Sequence, residues 1–245
     1  MNITSGIHKN SMAIIVSSVV IGLTIIICTF TLSNAVVEVK GLGKTISVTG
    51  AAFKPITSDY AVWEGTISTT NVNLDIAYAK IREDLKIVNK FLDKQGFKPD
   101  DYSISTIQLI KNIGHNRVFL DYTLSQVIKI ELDDVPRITQ LAREASSLIE
   151  QGIEIKSANP KYLFTGLDEL KLEMIKAATE NAKLRVDQLA NSTNCKVGVP
   201  ISARVGVFQI RPLHSTEVSN RGMNDVTSIE KEIVSTVHVN FLIDD

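Results

Sequence analysis

Residues 118–131 read VFLDYTLSQVIKIE, and apolar and polar side chains alternate along this stretch. The apolar members are Val118, Leu120, Tyr122, Leu124, Ile128 and Ile130, and the polar members are Asp121, Thr123, Ser125, Lys129 and Glu131. Because successive side chains of a strand point to opposite faces, the alternation predicts a strand in a sheet that is covered on one side, as antiparallel sheets commonly are. The preceding residues 102–113 predict a partner strand, joined to it through the turn-like Gly114-His115-Asn116.

A helix is predicted before this pair of strands and another after it. The apolar residues of the first recur at alternating steps of four and three and form one stripe, made of Leu74, Tyr78, Ile81, Leu85, Val88 and Leu92. Gly96 and Pro99 end that helix. The second begins at the N-cap Asp134 with Pro136 in its first turn and ends near Gly152, and its apolar residues are Ile138, Leu141, Ala145, Leu148 and Ile149.

A third and longer helix is predicted over residues 167–192, with a buried stripe of Ile175, Ala178, Ala182, Val186 and Leu189. The remaining strands are predicted at residues 46–50, 60–70, 201–211 and 230–243, and residues 153–164 have an extended pattern. In two successive parts of the chain, paired strands flank a single helix. This arrangement predicts an α+β fold of antiparallel sheets packed with three helices, with a weak internal duplication. The polar residues 213–228 are predicted to be a disordered or partner-facing loop.

The N-terminal region holds an uncharged apolar stretch of 21 positions, residues 12–32. A helix of this length matches the roughly 30 Å hydrocarbon core of a bilayer, which predicts a transmembrane helix or uncleaved signal anchor. The alternative is a signal peptide cleaved after Ala35, with Ser33 at the other small-residue position. The predicted organisation is a short tail at 1–11, the span at 12–32, a joint at 33–43 and an extracytoplasmic domain at 44–245.

The charge and cysteine content of the domain argue against nucleic-acid binding and against an intrachain disulfide. Lys9 is the one charged residue before position 36, which leaves 25 basic and 27 acidic residues after it and a net charge of −2. A clustered basic face is the usual footprint of nucleic-acid binding, so no nucleic acid is expected as a partner. Cys195 is the one cysteine after Cys28, so the domain has no intrachain disulfide.

Four segments together resemble the SIMPL-domain family, also called the domain of unknown function 541. They are Ile46-Ser47-Val48-Thr49-Gly50 followed by Lys54-Pro55, the strand 122–130 followed by Asp133-Asp134, the Ala/Lys/Arg-rich helix 180–190, and the closing strand 234–241 with its alternating Val and Thr. The resemblance covers nearly all of residues 44–243. Two segments depart from the family pattern, namely Ala51-Ala52-Phe53 and residues 153–164.

The resemblance implies an extracytoplasmic bacterial protein, either soluble in the periplasm or anchored in the membrane. It further implies a link to envelope or oxidative stress and, for some members, assembly into ring-shaped oligomers. No catalytic residues are established for such proteins, so the resemblance implies no site residues for this chain.

The residues themselves also predict no catalytic, metal or cofactor site. The histidines, His8, His115, His214 and His238, are scattered without the spacing of a zinc site. Gly41-Leu42-Gly43 lacks the third glycine and following helix of a phosphate-binding loop. The pairs Asp100-Asp101 and Asp133-Asp134 stand at a turn and at a helix start, where carboxylates cap free N–H groups. Cys195 has no basic neighbour except Lys196.

Three classes of function are compatible with these observations. The leading hypothesis is a non-enzymatic, single-pass protein of the inner membrane, whose periplasm-facing domain self-associates into a homo-oligomeric scaffold or ring. The second is a binding module for an envelope protein or a small ligand. The third is an enzyme of an unrecognised type, which requires clustered polar groups with perturbed pKa values in a pocket.

Overall fold

The computed structural model describes residues 17–33 and 44–244. Residues 17–33 form helix α1, which covers most of the predicted span 12–32 and carries exposed apolar side chains such as Ile26 and Phe30. Residues 12–16 of that span, the predicted tail 1–11 and positions 34–43 of the predicted joint lie outside the described residues.

Within residues 17–33 and 44–244, no helix combines the length and the apolar character needed to cross a membrane.

The chain divides into two compact units. The central unit comprises residues 51–179 and 205–236, and the described residues of the terminal unit are 17–33, 44–50, 180–204 and 237–244. Four elements contribute residues to both units: strands β1 (Thr45–Thr57), β8 (Lys196–Val205) and β11 (Glu230–Asp244), and helix α5 (Leu167–Thr193).

A six-stranded antiparallel sheet forms the centre of the central unit. Its long strands β2 (Tyr60–Asn71) and β5 (Phe119–Leu132) pair from Ala61 opposite Leu132 to Asn71 opposite Tyr122. Four short strands complete it: β3 (Tyr102–Ile104) and β4 (Gln108–Ile113) pair with β5, and β6 (Ile155–Ser157) and β7 (Lys161–Leu163) pair with β2. The predicted antiparallel pairing of residues 102–113 with 118–131 is therefore confirmed, although residues 102–113 form the two strands β3 and β4 instead of the one predicted.

Three helices contribute to the core of this unit, namely α2 (Leu74–Lys94), α3 (Val135–Glu144) and α4 (Ser147–Glu150). Trp63 and Ile128 of the sheet are fully buried with Ile81 of α2 and Ile138 of α3. The indole Nε1 of Trp63 donates to Ser157 Oγ at 2.9 Å, so the largest core side chain has its polar atom satisfied. Asp134 caps α3 as predicted, because its Oδ1 accepts from the backbone N–H of Arg137 at 3.1 Å.

The second predicted helix is interrupted, so four helices follow α1 instead of the predicted three. The hydroxyl of Ser146 donates to the carbonyl of Arg143 at 3.0 Å and competes with the regular helical bonds at this point. The chain resumes as α4, and Gly152 follows with φ +78. The predicted end of the helical segment near Gly152 is thus confirmed, but the prediction of one continuous helix before it is wrong.

The predicted stripe of α2 is rotated relative to the buried face. Its buried residues are Ala77, Ile81, Asp84, Val88, Phe91 and Leu92, whereas Leu74 and Tyr78 are 38% and 48% exposed. Asp84 is 1% exposed and accepts from Lys80 Nζ at 2.5 Å. Both sets of residues have the 3.6-residue period, so the apolar pattern alone could not reveal that a small Ala and a paired Asp face the core.

A five-stranded sheet contains β1, β11, β9 (Gln209–Pro212) and β10 (Met223–Asn224) in that order, and β8 (Lys196–Val205) also pairs with β11. The β9–β11 pair is antiparallel, but β10 pairs with β9 in parallel, against the prediction of antiparallel sheets throughout. Helix α5 buries Leu170, Met174, Ala178, Ala182, Val186 and Ala190 at steps of four, while the predicted Leu189 is exposed. The α+β class is confirmed, and the internal duplication stays a prediction.

Residues 213–228 are held by hydrogen bonds, so the disordered alternative of the prediction is wrong for much of this segment, and the partner-facing alternative stays a prediction. The side-chain amide of Gln209 donates to Ser219 O at 2.7 Å and accepts from Ser219 N at 3.1 Å. The backbone N–H of Asp225 donates to Ile210 O at 2.8 Å. His214, Thr216, Glu217 and Val218 at the outer part are exposed.

The corrected face of α2 leads to a prediction for stability. We expect Ile81→Ala to lower the free energy of unfolding by about 2 to 5 kcal/mol, because it leaves a cavity at a fully buried position. Leu85→Ala is expected to cost less, since Leu85 is partly buried, and Lys86→Ala is expected to change stability by less than about 0.5 kcal/mol. Urea unfolding of the three variants measures the order. A larger effect for Leu85→Ala than for Ile81→Ala would contradict the assignment of the buried face.

Candidate functional site

The structure places the described histidines on three separate elements. His115 is in a 3₁₀ turn (His115–Arg117) and His214 is exposed with φ 66. His238 lies on β11 in the terminal unit, where its Nδ1 shares a hydrogen bond with Thr49 Oγ1 at 2.8 Å. Within residues 17–33 and 44–244, no group of three His, Cys, Asp or Glu side chains is placed to hold a metal ion. His8 and Gly41-Leu42-Gly43 lie outside the described residues.

One aspartate of each predicted pair accepts a hydrogen bond from a backbone N–H group at a chain turn or helix start, as predicted. The Asp101 carboxylate accepts from the backbone N–H of Lys98 at 2.8 Å in the 3₁₀ turn Pro99–Asp101, and Asp134 caps α3. These carboxylates satisfy backbone donors, which is a structural role. The Sγ of Cys195 is 3.6 Å from Thr193 O at the end of α5, and Cys28 is exposed on α1.

A buried cation that the sequence did not reveal lies on β11. Lys231 is 2% exposed, and its Nζ donates to the carbonyl of Tyr162 at 2.5 Å. Burial lowers the pKa of Lys231, and the neighbouring Asp225 carboxylate partly opposes this shift. In the sequence Lys231 is one of many charged residues in an alternating strand, so nothing in the pattern marks it as buried.

The carboxylate of Asp225 is the counterpart of this cation. Its Oδ1 accepts from the N–H and hydroxyl of Thr227 at 2.8 and 2.7 Å, while Oδ2 is buried without a hydrogen-bond partner in the described part of the chain. Burial on its own raises the pKa of Asp225, but the bonds from Thr227 and the charge of Lys231 outweigh it, and the pKa lies below its ordinary value. The carbonyl of Val226 also accepts from Tyr162 N at 2.8 Å. This backbone bond and the charges of Asp225 and Lys231 together hold the end of the 213–228 segment in place.

An exposed apolar surface lies on the hairpin formed by β4 and the start of β5. We call it the hairpin surface, and its residues are Leu109, Ile110, Ile113, Val118, Phe119 and Leu120. The sequence predicted that Val118 and Leu120 face the core, but they are 58% and 52% exposed because this end of β5 lies beyond the part that contributes to the core. Several large exposed apolar residues on one hairpin are typical of an interaction site.

Polar contacts between the two strands hold the hairpin in this shape. Asn112 Nδ2 donates to Asp121 Oδ1 at 2.5 Å and to Thr123 Oγ1 at 2.7 Å. Gly114 N donates to Val118 O at 2.7 Å across the turn. A Cβ on Gly114 would meet the Leu120 side chain at 3.2 Å, so the turn is fitted to a residue without one. The exposed apolar side chains are therefore presented by a defined backbone.

The hairpin also provides an open sheet edge. In the six-stranded sheet β4 pairs with β5 alone, from Gln108 opposite Ser125 to Ile113 opposite Phe119. The other side of β4 carries backbone N–H and C=O groups without a strand partner in the described sheet. An apolar edge strand of this kind is a template for pairing with another strand.

Comparison with known families finds a match over most of the chain. The family sequence model SIMPL, described as "Protein of unknown function (DUF541)", matches residues 46–241. This range extends from β1 into β11 and includes both sheets. No curated protein matches the chain.

The buried charges predict a pH-dependent stability. We expect Asp225→Asn to lower the free energy of unfolding by about 1 to 3 kcal/mol at neutral pH, because it removes a charged acceptor and leaves Lys231 buried without a counter-charge. Because the folded-state pKa of Asp225 is depressed, its contribution is present above about pH 4 and is lost as the pH falls through the folded pKa. Urea unfolding between neutral and acidic pH measures the difference, which should shrink as the pH falls.

Two further variants control this experiment. The exposed Asp168→Asn should have little effect on stability at any pH. Adding Lys231→Met to Asp225→Asn should recover part of the loss, because the uncompensated buried charge is removed. A constant difference between wild type and Asp225→Asn across the pH range would show that the carboxylate charge is not involved.

Proposed function

This chain belongs to the SIMPL family, and from that premise we propose that it is a non-enzymatic scaffold of the bacterial cell envelope, anchored in the inner membrane and self-associating through its periplasmic domain. The match to residues 46–241 confirms the resemblance predicted from the sequence, and the description of the family assigns no function. Support for the function must come from the surfaces of this chain. A part in envelope or oxidative stress is proposed from the resemblance alone.

The hairpin surface is the main structural support for the proposed self-association. It combines an unpaired strand edge with exposed apolar side chains on a backbone held by cross-strand hydrogen bonds. A second copy that pairs β4 with β4 in antiparallel fashion supplies the missing hydrogen-bond partners and covers Leu109, Ile110 and Ile113. Such pairing is symmetric, because each copy contributes the same strand.

Charge along β4 favours a particular register for this pairing. Lys111 is the one charged residue among Gln108–Ile113. Placing Ile110 opposite Ile110 of the second copy sets Lys111 opposite Leu109 and brings no like charges together. Placing Lys111 opposite Lys111 is destabilised by repulsion between the two ammonium groups.

Membrane attachment strengthens this association. Parallel N-terminal anchors at residues 12–32 confine the domains to one plane and raise their effective concentration. The net charge of −2 after residue 35 provides little repulsion between copies. The symmetric β4 pairing on its own closes at a dimer, so a ring of the kind that the resemblance implies for some members requires a second interface between dimers.

A second candidate function is a binding module for an envelope protein or a small ligand. Two grooves along α3 in the central unit favour it. Both functions are compatible with one another, because the grooves and the hairpin surface have no lining residue in common.

Self-association is tested by charging the hairpin surface. We expect full-length protein to crosslink to itself in membranes and to run as an oligomer in detergent by size-exclusion chromatography with light scattering. The double variant Ile110→Lys with Ile113→Lys should run as a monomer, because two ammonium groups at the edge oppose strand pairing and apolar contact. Leu172→Lys, at an even more exposed apolar position on α5, should leave the oligomer unchanged. A monomeric wild type that does not crosslink would move the binding module to first place.

Anchoring is tested by membrane fractionation and intact mass. We expect the wild type to stay in the membrane fraction through an alkaline carbonate wash and to begin at Met1 or an early residue, because the apolar stretch 12–32 is long enough to span a bilayer. Ile25→Lys with Ile26→Lys should release the protein, since each central Lys opposes insertion by about 2.5 to 3.5 kcal/mol. A mature N-terminus at Val36 would show that the segment is a cleaved signal peptide.

A further inference from the structure

Two grooves lie side by side along helix α3 in the central unit. The first has a volume of about 710 Å³ and lies between α3 and the corner between β1 and β2, with walls that include Val135, Pro136 and Ile229. We call it the apolar groove. The second, the basic groove, has a volume of about 670 Å³ and is lined by residues of α2 and α4 that include Lys90 and Lys94. Both volumes are in the range of small-molecule sites.

The two grooves share a boundary. Arg143 and Glu144, at the C-terminal end of α3, line both of them. One elongated ligand can therefore occupy the apolar groove and reach the basic groove at Arg143. This arrangement distinguishes the pair of grooves from two separate surface depressions.

The walls of the apolar groove suit an apolar ligand because its hydroxyl groups are already used. Thr139 Oγ1 donates to Val135 O at 2.8 Å, Thr57 Oγ1 donates to Glu230 Oε2 at 2.9 Å, and Ser58 Oγ donates to Ser228 O at 3.4 Å. These hydroxyls have intramolecular partners, so a ligand there gains chiefly from contact with carbon atoms.

The shared boundary and the basic groove suit an anion. The Glu144 carboxylate accepts from the side-chain amides of Gln140 and Gln95, so it is already engaged. Arg143, Lys90 and Lys94 are exposed, and none of the ion pairs in the described ranges includes them. These three cations outnumber the two acidic residues that line the basic groove, Glu144 and Glu150.

We infer that the two grooves together bind a single-chain amphipathic anion, with its hydrocarbon chain in the apolar groove and its carboxylate or phosphate group at Arg143. The planar guanidinium of Arg143 matches either head group by paired hydrogen bonds. Lys90 and Lys94, one turn apart on α2, attract the same charge. A free fatty acid and a single-chain phospholipid share this chemistry, and both occur beside a membrane. The inference is independent of self-association.

Site-resolved photolabelling of full-length protein in membranes tests it. The probe is a dodecanoate that carries a diazirine on its chain, and the adducts are mapped by peptide mass spectrometry. We expect adducts on peptides that contain Val135–Arg143 and on those that contain Thr57 or Ile229, and we expect unlabelled dodecanoate to suppress them. The corresponding dodecanol probe should label these peptides about tenfold less, because it lacks the charge that pairs with Arg143.

Variants at the boundary connect the labelling to Arg143. Arg143→Gln should reduce labelling of the groove peptides about tenfold. Arg143→Lys should retain part of the labelling, because the positive charge remains. The control Lys86→Gln removes a charge from α2 outside the grooves and should retain all of the labelling. Circular dichroism of each variant verifies that the fold is intact, and Arg143→Lys provides a second reading if Arg143→Gln unfolds. Ile110→Lys with Ile113→Lys should label like the wild type, whether or not it self-associates.

Competition by unlabelled amphiphiles identifies the head group, and the labelling pattern also shows which results would overturn the inference. Stronger competition by dodecyl phosphate than by dodecanoate supports the inference and assigns a phospholipid-type head, and the reverse supports it and assigns a free fatty acid. Adducts spread evenly over the surface, adducts confined to α1 and the hairpin surface, or equal labelling by dodecanol would overturn it. Suppression by an apolar peptide but not by dodecanoate would also overturn it and would assign a peptide site.

Discussion

The antiparallel pairing of β2 with β5 is the constraint on which the central unit depends. Eleven residue pairs join the two strands, and the four short strands of the sheet attach to one or the other of them. Since side chains alternate between the faces, a shift of this pairing by one residue would turn Trp63 and Ile128 away from α2 and α3. The buried face, the position of the hairpin and the floor beneath α3 all follow from one register.

Periodicity recovered the elements of the fold better than their buried faces. Asp134, Gly152 and the alternation of residues 124–130 mark their positions through local chemistry, which a single sequence contains. The rotation of α2 was missed because the exposed Leu74 and Tyr78 continue the same 3.6-residue period as the buried Ile81 and Val88. The burial of Asp84 and Lys231 was also missed, because whether a charged side chain is buried depends on its partners. Asp84 is paired with Lys80, and Lys231 interacts with Tyr162 and Asp225, of which Tyr162 is distant in the sequence.

The surfaces with functional potential were the least visible in the sequence. The apolar residues of the hairpin have the same pattern as those of the core, and only the extent of the neighbouring helices separates Leu120 from Leu124. The grooves along α3 bring together α2, α4 and the corner between β1 and β2, and this proximity is a property of the tertiary fold. The absence of a motif for a reaction is therefore compatible with the two proposed recognition surfaces, the hairpin surface through strand pairing and the grooves through contact with a hydrocarbon chain and an anionic group.

The distribution of aromatic side chains between the two units has an optical consequence. Trp63 is the single tryptophan of the chain, and the five tyrosines, Tyr60, Tyr78, Tyr102, Tyr122 and Tyr162, lie with it in the central unit. Trp63 is fully buried, and its ring closely approaches the backbone at Gly65. Tyrosine and tryptophan absorbance and emission therefore report on the central unit, because the terminal unit contains neither of these residues. The chain thus contains a natural spectroscopic label that distinguishes one unit from the other without chemical modification.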